Sequence, residues 1–464
     1  MINYCCLSPH PPFIIPAVGG DNLNQAQATV AGLQTMAAEL SASSPELVIF
    51  LTPHGNVFSD CISCLGDPEL TGDLGAFGHP ETSMHHANDL ELVELMEKTC
   101  TAEGIEFAAI DTALAHRHHL NANIDHGIMV PLYYLEQAGL TGVPIIAISI
   151  GFLPLLDLYR FGTIINRCAQ TLNRRVAVVA SGDMSHRLKD DGPYSFNPAG
   201  PEFDRSVKEL IEKKDIKGLL ALPGHLRENA GECGYRSIVI MLGVLDGLEF
   251  DSQVFSYEGP FGVGYLTAGF RPLASGTSFL SRLQEEEARE REASRVKESM
   301  PVKWARMVLE SYIRTGEVLA LPEELKEISK QRAAAFVSLK KGGQLRGCIG
   351  TILPLHDNLM EEIRENAISA GTRDPRFPAV RPEELEQLEY SVDVLSKPEP
   401  ATREELDPSR YGVIVSRGHK RGVLLPDLEG VDTVEEQLEI ALQKADISRN
   451  QGYGIERFEV IRYK

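Results

Sequence analysis

The sequence predicts an α/β fold for its first part, with helices on both faces of a sheet, followed by a smaller α+β domain. Short apolar, β-branched runs alternate with segments of helical periodicity up to about residue 272, which is typical of such a sheet. A run of charged residues follows, and then a hairpin pattern with further strands and helices. We therefore predict domains at residues 1–275 and 301–464, joined by a charged linker helix at 276–300.

Composition bounds the class of protein. The chain has 464 residues, 43% of them hydrophobic, which is enough for more than one core. Its net charge of -21 argues against nucleic acid or an anionic membrane surface as the partner. No run of eighteen apolar residues and no signal-peptide pattern is found, and the eight cysteines are scattered. We expect a cytoplasmic protein with reduced thiols, and a homo-oligomer is compatible with the sequence.

Each element of the first domain follows from local patterning. Continuous apolar runs predict buried strands at 2–7, 47–51, 143–150 and 176–180, and shorter runs predict strands at 105–109, 254–257 and 263–270. Helical spacing of apolar residues predicts helices around 30–40 and at 88–103, 155–173, 199–222 and 235–247. Residues 56–86 are rich in Gly, Pro and His and predict a long loop, and 115–125 predict a His-rich turn.

Histidines follow several of these predicted strands. His10 lies among three prolines after the first strand, and His54 follows Pro53 after the second. Ligands of α/β proteins bind beyond the carboxyl ends of the strands. Two imidazoles stiffened by adjacent prolines suit a divalent metal ion. The sequence therefore predicts a metal site that contains His10 and His54, with a third ligand from elsewhere.

The order of the motifs resembles a known family. SPHPP near the N-terminus, PHG after a strand, DHGIMVPL in mid-domain, SGDMSH after a buried strand and an acidic residue in AGECG before a late helix resemble the class III extradiol ring-cleavage dioxygenases and their Memo-like relatives. The resemblance covers residues 1 to about 272. It implies a non-haem Fe(II) enzyme that opens a catechol-like aromatic diol with O2, although another divalent metal such as zinc is compatible with it.

The resemblance also implies a ligand set. It makes His10, His54 and Glu232 a facial triad of two histidines and one carboxylate for Fe(II). Two alternatives for the third position stay open. Cys233 stands where the Memo-like relatives have a cysteine, and Glu258 is an acid at a predicted strand end. The position of Glu232 in its motif favours it over Glu258.

Two more histidines receive roles from the resemblance. His186 becomes the acid/base residue, since an imidazole with a pKa near neutrality can both take up and return a proton. His126 becomes a pocket residue that hydrogen-bonds the substrate or an oxyanion, oriented by Asp125. We predict that His186 and His126 are catalytic.

The second domain carries its own motifs. LRGCIGT at 345–351 and DPRFP at 374–378 resemble the AMMECR domain family over residues 301–464. Arg346 and Cys348 alternate along a predicted strand and so face one side, in a pocket where the thiol is either reactive beside a cation or buried and structural. A Gly-Gly turn at 342–343 is predicted to close the hairpin.

The two halves together resemble two partners of the AmmeMemoRadiSam system fused in one chain, which implies a radical-SAM protein as a functional partner. We consider two functions. The first is a class III extradiol-type dioxygenase that acts on a small aromatic diol and O2. The second is a Memo-like metal-binding protein that serves protein modification or metal handling with the radical-SAM partner and cleaves no catechol.

Overall fold

The computed structural model of the protein describes residues 1–328, 332–341, 344–428 and 431–464. The chain divides into two compact units, Met1–Glu287 and Ala288–Lys464. Among the described residues, no helix has both the length and the apolar character needed to cross a membrane.

The first unit alternates strands and helices. Its strands are β1 Ile2–Ser8, β2 Leu47–Thr52, β3 Ile62–Leu65, β4 Glu69–Leu74, β5 His79–Ala87, β6 Phe107–Ile110, β7 Ile145–Ser149, β8 Val176–Ser181, β9 Leu248–Glu258 and β10 Tyr265–Ser275. Its helices are α1 Pro16–Gly19, α2 Gln27–Ala42, α3 Leu90–Ala102, α4 Thr112–His118, α5 His126–Gln137, α6 Leu155–Thr171, α7 Ala199–Glu212, α8 Ile216–Leu220, α9 Gly224–Ala230 and α10 Tyr235–Val244.

Eight of these strands form one mixed sheet in the order β6-β3-β7-β2-β8-β1-β10-β9. The four central strands, β7, β2, β8 and β1, are parallel, whereas β10 and β9 are added antiparallel at one side. Because parallel strands end at the same edge, the residues that follow β1, β2, β7 and β8 meet there. The sheet thereby gathers the histidines that the sequence places after separate strands.

Helices cover both faces of the sheet, as predicted. Every residue of β2 and β8 is buried, and alternate residues enter two different cores. Ile49, Leu51 and Val178 pack with α3, α6 and α10, whereas Phe50 and Val179 pack with α2 and α5. Burial on both faces explains why these strands are continuous apolar runs.

Two predictions for this unit are wrong. The long loop predicted at 56–86 contains β3 in the main sheet and β4 and β5 paired as a separate hairpin. The His-rich turn predicted at 115–125 begins inside helix α4, whose first turn is capped by the Asp111 carboxylate accepting from the amide of Leu114. The polar, Gly-rich composition of these segments gave no apolar pattern from which the strands or the helix could be predicted. A hairpin that is exposed on one face, such as that of β4 and β5, needs few apolar residues.

Helix α11, Leu280–Lys297, occupies most of the predicted linker and spans the division between the units. The second unit contains helices α12 Met300–Thr315, α13 Glu323–Ile328, α14 Leu359–Thr372 and α15 Val434–Lys444. Its strands are β11 Ala334–Lys341, β12 Gln344–Gly350, β13 Leu388–Leu395, β14 Glu399–Pro400, β15 Tyr411–Arg417, β16 Lys420–Leu424 and β17 Gly454–Tyr463.

The second unit has the predicted α+β class. Its antiparallel strands follow the order β12-β11-β13-β17-β15-β16, and β14 pairs with β17. Helices α12 and α14 bury Trp304, Val308 and Ile363 against β11 and β13. The Gly-Gly turn predicted at 342–343 lies outside the described residues.

Candidate metal centre

Three histidines converge at the carboxyl edge of the first sheet. His10 follows β1, His54 follows β2, and His126 is the first residue of α5. The Nε2 atoms of His10 and His54 are 2.9 Å apart, and one ligand nitrogen from each of the three rings lies within 4.8 Å of the others. The His126 ring centre is 4.3 Å from that of His54 and 5.4 Å from that of His10.

Ser181 at the end of β8 sets the tautomer of His10. The Ser181 hydroxyl lies 2.5 Å from the carbonyl oxygen of Gly127, which can only accept, so the hydroxyl proton is donated there. The Ser181 Oγ must therefore accept from Nδ1–H of His10, at 2.8 Å. With its proton on Nδ1, His10 turns an unprotonated Nε2 toward His54, as a metal ligand requires.

The loop after β2 and the start of α5 are held together by one carboxylate. Asp125 caps α5 by accepting from the amide of Gly127 at 2.7 Å, and the Thr52 hydroxyl donates to the same carboxylate at 2.7 Å. The amide of His54 in turn donates to the Thr52 oxygen. Asp125 therefore positions His126 and His54 through the backbone.

All three imidazoles are held in the neutral form. Burial lowers the pKa of His10, His54 and His126, and the neighbouring rings lower the pKa of His10 and His126 further. The pKa of His126 falls to about 4. Neutral imidazoles keep the lone pair that a metal ion uses, so protonation does not compete at neutral pH.

This donor set fits a divalent metal ion. Imidazole nitrogen suits zinc, copper, iron and nickel ions. The Nε2 atoms of His10 and His54, 2.9 Å apart, are close enough for both to contact one ion at the distance of about 2.0–2.1 Å typical of a nitrogen ligand. His10, His54 and His126 would hold the ion.

The structure does not bring Glu232 into this group. Its carboxylate accepts from the amide of Tyr235 at 2.6 Å and so caps α10, facing Arg227 and Arg236. Burial raises the pKa of Glu232 to about 7. Within the described part of the chain, the third member of the cluster is His126, for which the sequence predicted only a pocket role. The motif alone could not distinguish a helix cap from a ligand.

The two alternatives to Glu232 are placed differently. Glu258 accepts from the amide and the hydroxyl of Thr29, both at 2.6 Å, which ties β9 to the first turn of α2. Cys233 lies at the cluster, with Sγ 3.7 Å from Nε2 of His10. Burial raises the pKa of the Cys233 thiol, and the nearby Asp183 raises it further.

Asp183 is a site residue to which the sequence analysis gave no role. Its Oδ1 accepts from the amide of His10 at 3.0 Å, and its Oδ2 is 3.9 Å from Nε2 of His10. Burial raises the pKa of Asp183 to about 7. Its position in the SGDMSH motif, directly after a buried strand, was the available signal.

His186 lies beside the cluster in an aromatic and partly buried setting. Burial lowers the pKa of His186, and the nearby His54 also lowers it. The carbonyl groups of Gly231 and Met184 raise this pKa in turn. Its ring centre is 6.2 Å from that of Tyr194, which is 55% exposed. The structure therefore places the predicted acid/base residue near the histidine cluster and outside it.

A second aromatic wall comes from the hairpin of β4 and β5. Phe77, at the tip of this hairpin, lies edge-on to His126, with ring centres 5.3 Å apart. Phe77 is 40% exposed. The segment predicted as a loop thus forms part of the site wall.

In the second unit the predicted pair of Arg346 and Cys348 has other partners. Arg346 donates to both carboxylate oxygens of Glu384, at 2.9 and 3.0 Å. Cys348 Sγ accepts from the hydroxyl of Ser338 at 3.1 Å, and the guanidinium beside it is that of Arg376, which also donates to the Cys348 carbonyl. Arg346 is thus engaged in a structural ion pair.

Comparison with known proteins identifies the protein family of each part of the chain. The family described as "Catalytic LigB subunit of aromatic ring-opening dioxygenase" matches residues 4–268, and the AMMECR1 family matches residues 302–464. The chain therefore belongs to the LigB family through its first unit and carries an AMMECR1 domain in its second, as the sequence motifs indicated.

Individual relatives match either the whole chain or one part of it. A protein of Clostridium acetobutylicum is 41% identical over 100% of this chain and 99% of its own length. A Thermotoga maritima protein is 56% identical over 35% of this chain and 96% of its own length. An uncharacterized Pyrococcus horikoshii protein of known structure is 29% identical over 35% of this chain and 88% of its own, with a TM-score of 0.33. An uncharacterized Escherichia coli protein is 15% identical over 57% of this chain and 99% of its own, with a TM-score of 0.35.

Proposed function

We propose that the first unit is a metal-dependent ring-opening dioxygenase of the extradiol type, which acts on a catechol-like diol with O2. The observation that carries this proposal is the convergence of three neutral imidazoles at the carboxyl edge of the sheet, next to two groups able to exchange protons. Membership of the LigB family supports the reaction class.

His10, His54 and His126 are the proposed ligands of Fe(II), and zinc is the alternative occupant. Bound iron would supply Lewis acidity toward the diol oxygens and electrons for the reduction of O2. Ser181 holds His10 in the tautomer that binds, and Asp125 keeps the other two ligands in place.

His186 is the proposed acid/base residue. A catechol hydroxyl must lose its proton as the diol binds, and a proton must be returned when the ring opens. A neutral imidazole beside the cluster can take up the first proton and return it later. Asp183, with a pKa of about 7, is a second group that can hold a proton near His10. Phe77 and Tyr194 would enclose the aromatic ring and exclude water.

Anaerobic loading of the full-length protein with Fe(II), followed by O2-uptake measurements with catechols, tests this function. We expect O2 uptake with wild-type protein, and a loss of about 10²–10⁴-fold in His186→Ala at unchanged iron content. His126→Ala should lose iron, whereas Glu232→Gln, whose amide oxygen can still cap α10, should retain it. Iron-loaded protein that consumes no O2 with any catechol would contradict the proposal.

A second function is favoured by Cys233. The Cys233 thiol is 3.7 Å from His10 Nε2, whereas Glu232 lies outside the cluster. This arrangement suits a metal-binding protein that cleaves no aromatic ring. Such a protein would act with a radical-SAM partner in protein modification or metal handling. The test is the metal affinity of Cys233→Ser. A large loss of affinity together with absent O2 uptake supports this second function, and unchanged affinity together with O2 uptake supports the first.

A further inference from the structure

A cavity of about 300 Å³ opens in the second unit, beside the segment that joins β13 to β14. Ser396 is tied to β17 in both directions, since its amide donates to the Glu459 carbonyl and its hydroxyl accepts from the Glu459 amide. Glu399 pairs with Arg457 of the same strand. The chain from 396 to 399 is one residue longer than the stretch of β17 that it faces, so it bulges around Lys397. The cavity lies at this bulge.

The wall of the cavity is formed by side chains that are held in place. Tyr411 of β15 lines the cavity, and the guanidinium carbons of Arg457 and Arg410 lie over its ring, 4.5 and 4.9 Å from the ring centre. Arg457 donates from Nε to Glu399 at 2.8 Å, and Arg410 donates twice to Glu459, at 2.8 and 3.0 Å. Groups fixed in this way lose little conformational freedom when a ligand binds. The Tyr411 hydroxyl is therefore preorganised.

Three polar groups of the lining are available to a ligand. Each lining carboxylate is already paired with an arginine. Within the part of the chain that the structure describes, neither the Lys397 ammonium nor the Tyr411 hydroxyl has a hydrogen-bond partner. The Ser396 hydroxyl accepts from an amide and so keeps its own proton to donate. The cavity thus presents one cation without a counter-charge and two hydroxyl donors.

We propose that this cavity binds the oxyanion of a small ligand, a carboxylate or a phosphate, with Lys397 as the counter-charge and the hydroxyls of Tyr411 and Ser396 as donors. An oxyanion offers several acceptor oxygens, so it can satisfy all three groups at once. A volume of about 300 Å³ lies at the lower end of the range for small-ligand sites. These residues all belong to the second unit, so the inference does not rest on the function proposed for the first.

Calorimetric titration of the full-length protein with inorganic phosphate and, separately, with acetate tests this site. Treatment with a chelator beforehand removes any metal ion that could bind these anions at the histidine cluster. At constant ionic strength, we expect at least one of the two anions to bind with a Kd of about 1 mM. Tighter binding of phosphate or of acetate identifies which oxyanion the ligand carries.

Variants of the lining assign the binding to the cavity. Lys397→Gln should weaken it by at least about tenfold, because the counter-charge is lost, whereas Lys397→Arg should keep most of it. Tyr411→Phe keeps the ring under the two guanidinium groups and should weaken binding by about threefold to tenfold. Lys303→Gln removes an exposed lysine of α12 that does not line the cavity, and it should bind like the wild-type protein.

Two results overturn the inference. One is that the wild-type protein binds neither anion, and the other is that Lys397→Gln and Tyr411→Phe bind as tightly as the wild-type protein. Because Lys397 is exposed, Lys397→Gln should melt at the temperature of the wild-type protein, and circular dichroism checks this for each variant.

Discussion

The Ser181 hydroxyl is hydrogen-bonded to His10, a proposed metal ligand, and is not itself a ligand. The Ser181 hydroxyl donates a hydrogen bond to the carbonyl of Gly127 and accepts one from Nδ1–H of His10. Because the proton of His10 is therefore held on Nδ1, its Nε2 is left unprotonated. Partners of this kind are part of a metal site because they orient the ligand and raise its basicity.

We expect Ser181→Ala to weaken metal binding by about 10–100-fold, because His10 loses the acceptor that holds its proton on Nδ1. Competition with a chromophoric chelator measures this affinity. Ser252→Ala is the matched control and should bind metal normally, because the Ser252 hydroxyl on β9 donates to the carbonyl of Ile211 on α7, away from the cluster. An unchanged affinity in Ser181→Ala would show that the tautomer of His10 does not depend on Ser181.

The buried carboxyl group of Asp204 should make the free energy of unfolding depend on pH. Its buried carboxyl accepts from the amide of Ser185 and the hydroxyl of Tyr257, and burial raises its pKa to about 6, above the value of about 3.9 expected in the unfolded chain. Between pH 4 and 6 the unfolded state therefore releases the proton first, and stability falls as pH rises.

Asp204→Asn should remove this contribution. The free energy of unfolding of wild-type protein relative to Asp204→Asn should decrease by about 2–3 kcal/mol from pH 4 to pH 6 and change little above pH 7. Denaturant titrations of both proteins across this range measure it. A difference that stays constant with pH would mean that Asp204 is ionised throughout.

The exit of β8 illustrates how neighbouring elements position the site. Gly182 packs against the turn before α10, and a Cβ on Gly182 would lie 2.1 Å from Cα of Gly234. This contact brings Asp183 and Cys233 together, since the Cys233 amide donates to the Asp183 carbonyl and the Asp183 amide donates to the Cys233 sulfur. Because Gly182 meets backbone atoms of Gly234, a clash at this contact could not be relieved by the rotation of a side chain.

Gly182→Ala should therefore destabilise the first unit by about 1–3 kcal/mol or more and lower metal affinity as well. Differential scanning calorimetry and chelator competition report the two effects. Gly224→Ala is the control, because a Cβ on Gly224, at the start of α9, meets only ordinary contacts at 3.6 Å and beyond. A Gly182→Ala protein as stable as Gly224→Ala would be inconsistent with the close packing of β8 against this turn.

Each of the two units has hydrophobic cores of its own. The first is built around the mixed sheet, and the second around Trp304, Val337 and Ile363 and around a smaller cluster under α15. A segment with its own core can fold alone. All members of the histidine cluster belong to the first unit.

We expect the fragments 1–287 and 288–464 to fold separately. Fragment 1–287 should bind metal with the affinity of the full-length protein, because His10, His54 and His126 all lie within it. Calorimetric transitions of the fragments, compared with those of the intact chain, provide the measurement. Loss of metal binding in a folded 1–287 fragment would imply that the second unit contributes to the site.

The sequence by itself determined the architecture and two of the three clustered histidines. Apolar runs that end in polar residues are a local signal, and the prolines beside His10 and His54 marked both as strand exits. The motifs also identified both families, and they drew attention to the stretch that contains Ser181 and His186. These features depend on neighbours along the chain, which a sequence displays directly.

Only the tertiary structure decided which side chains share the site. Whether Glu232 caps α10 or points to the histidines depends on the direction of one side chain, and the presence of His126 in the cluster depends on where α5 begins relative to β2. Asp183 likewise acquires its place beside His10 from packing between elements far apart in the chain. Such distances follow from how strands and helices meet, and sequence spacing does not encode them.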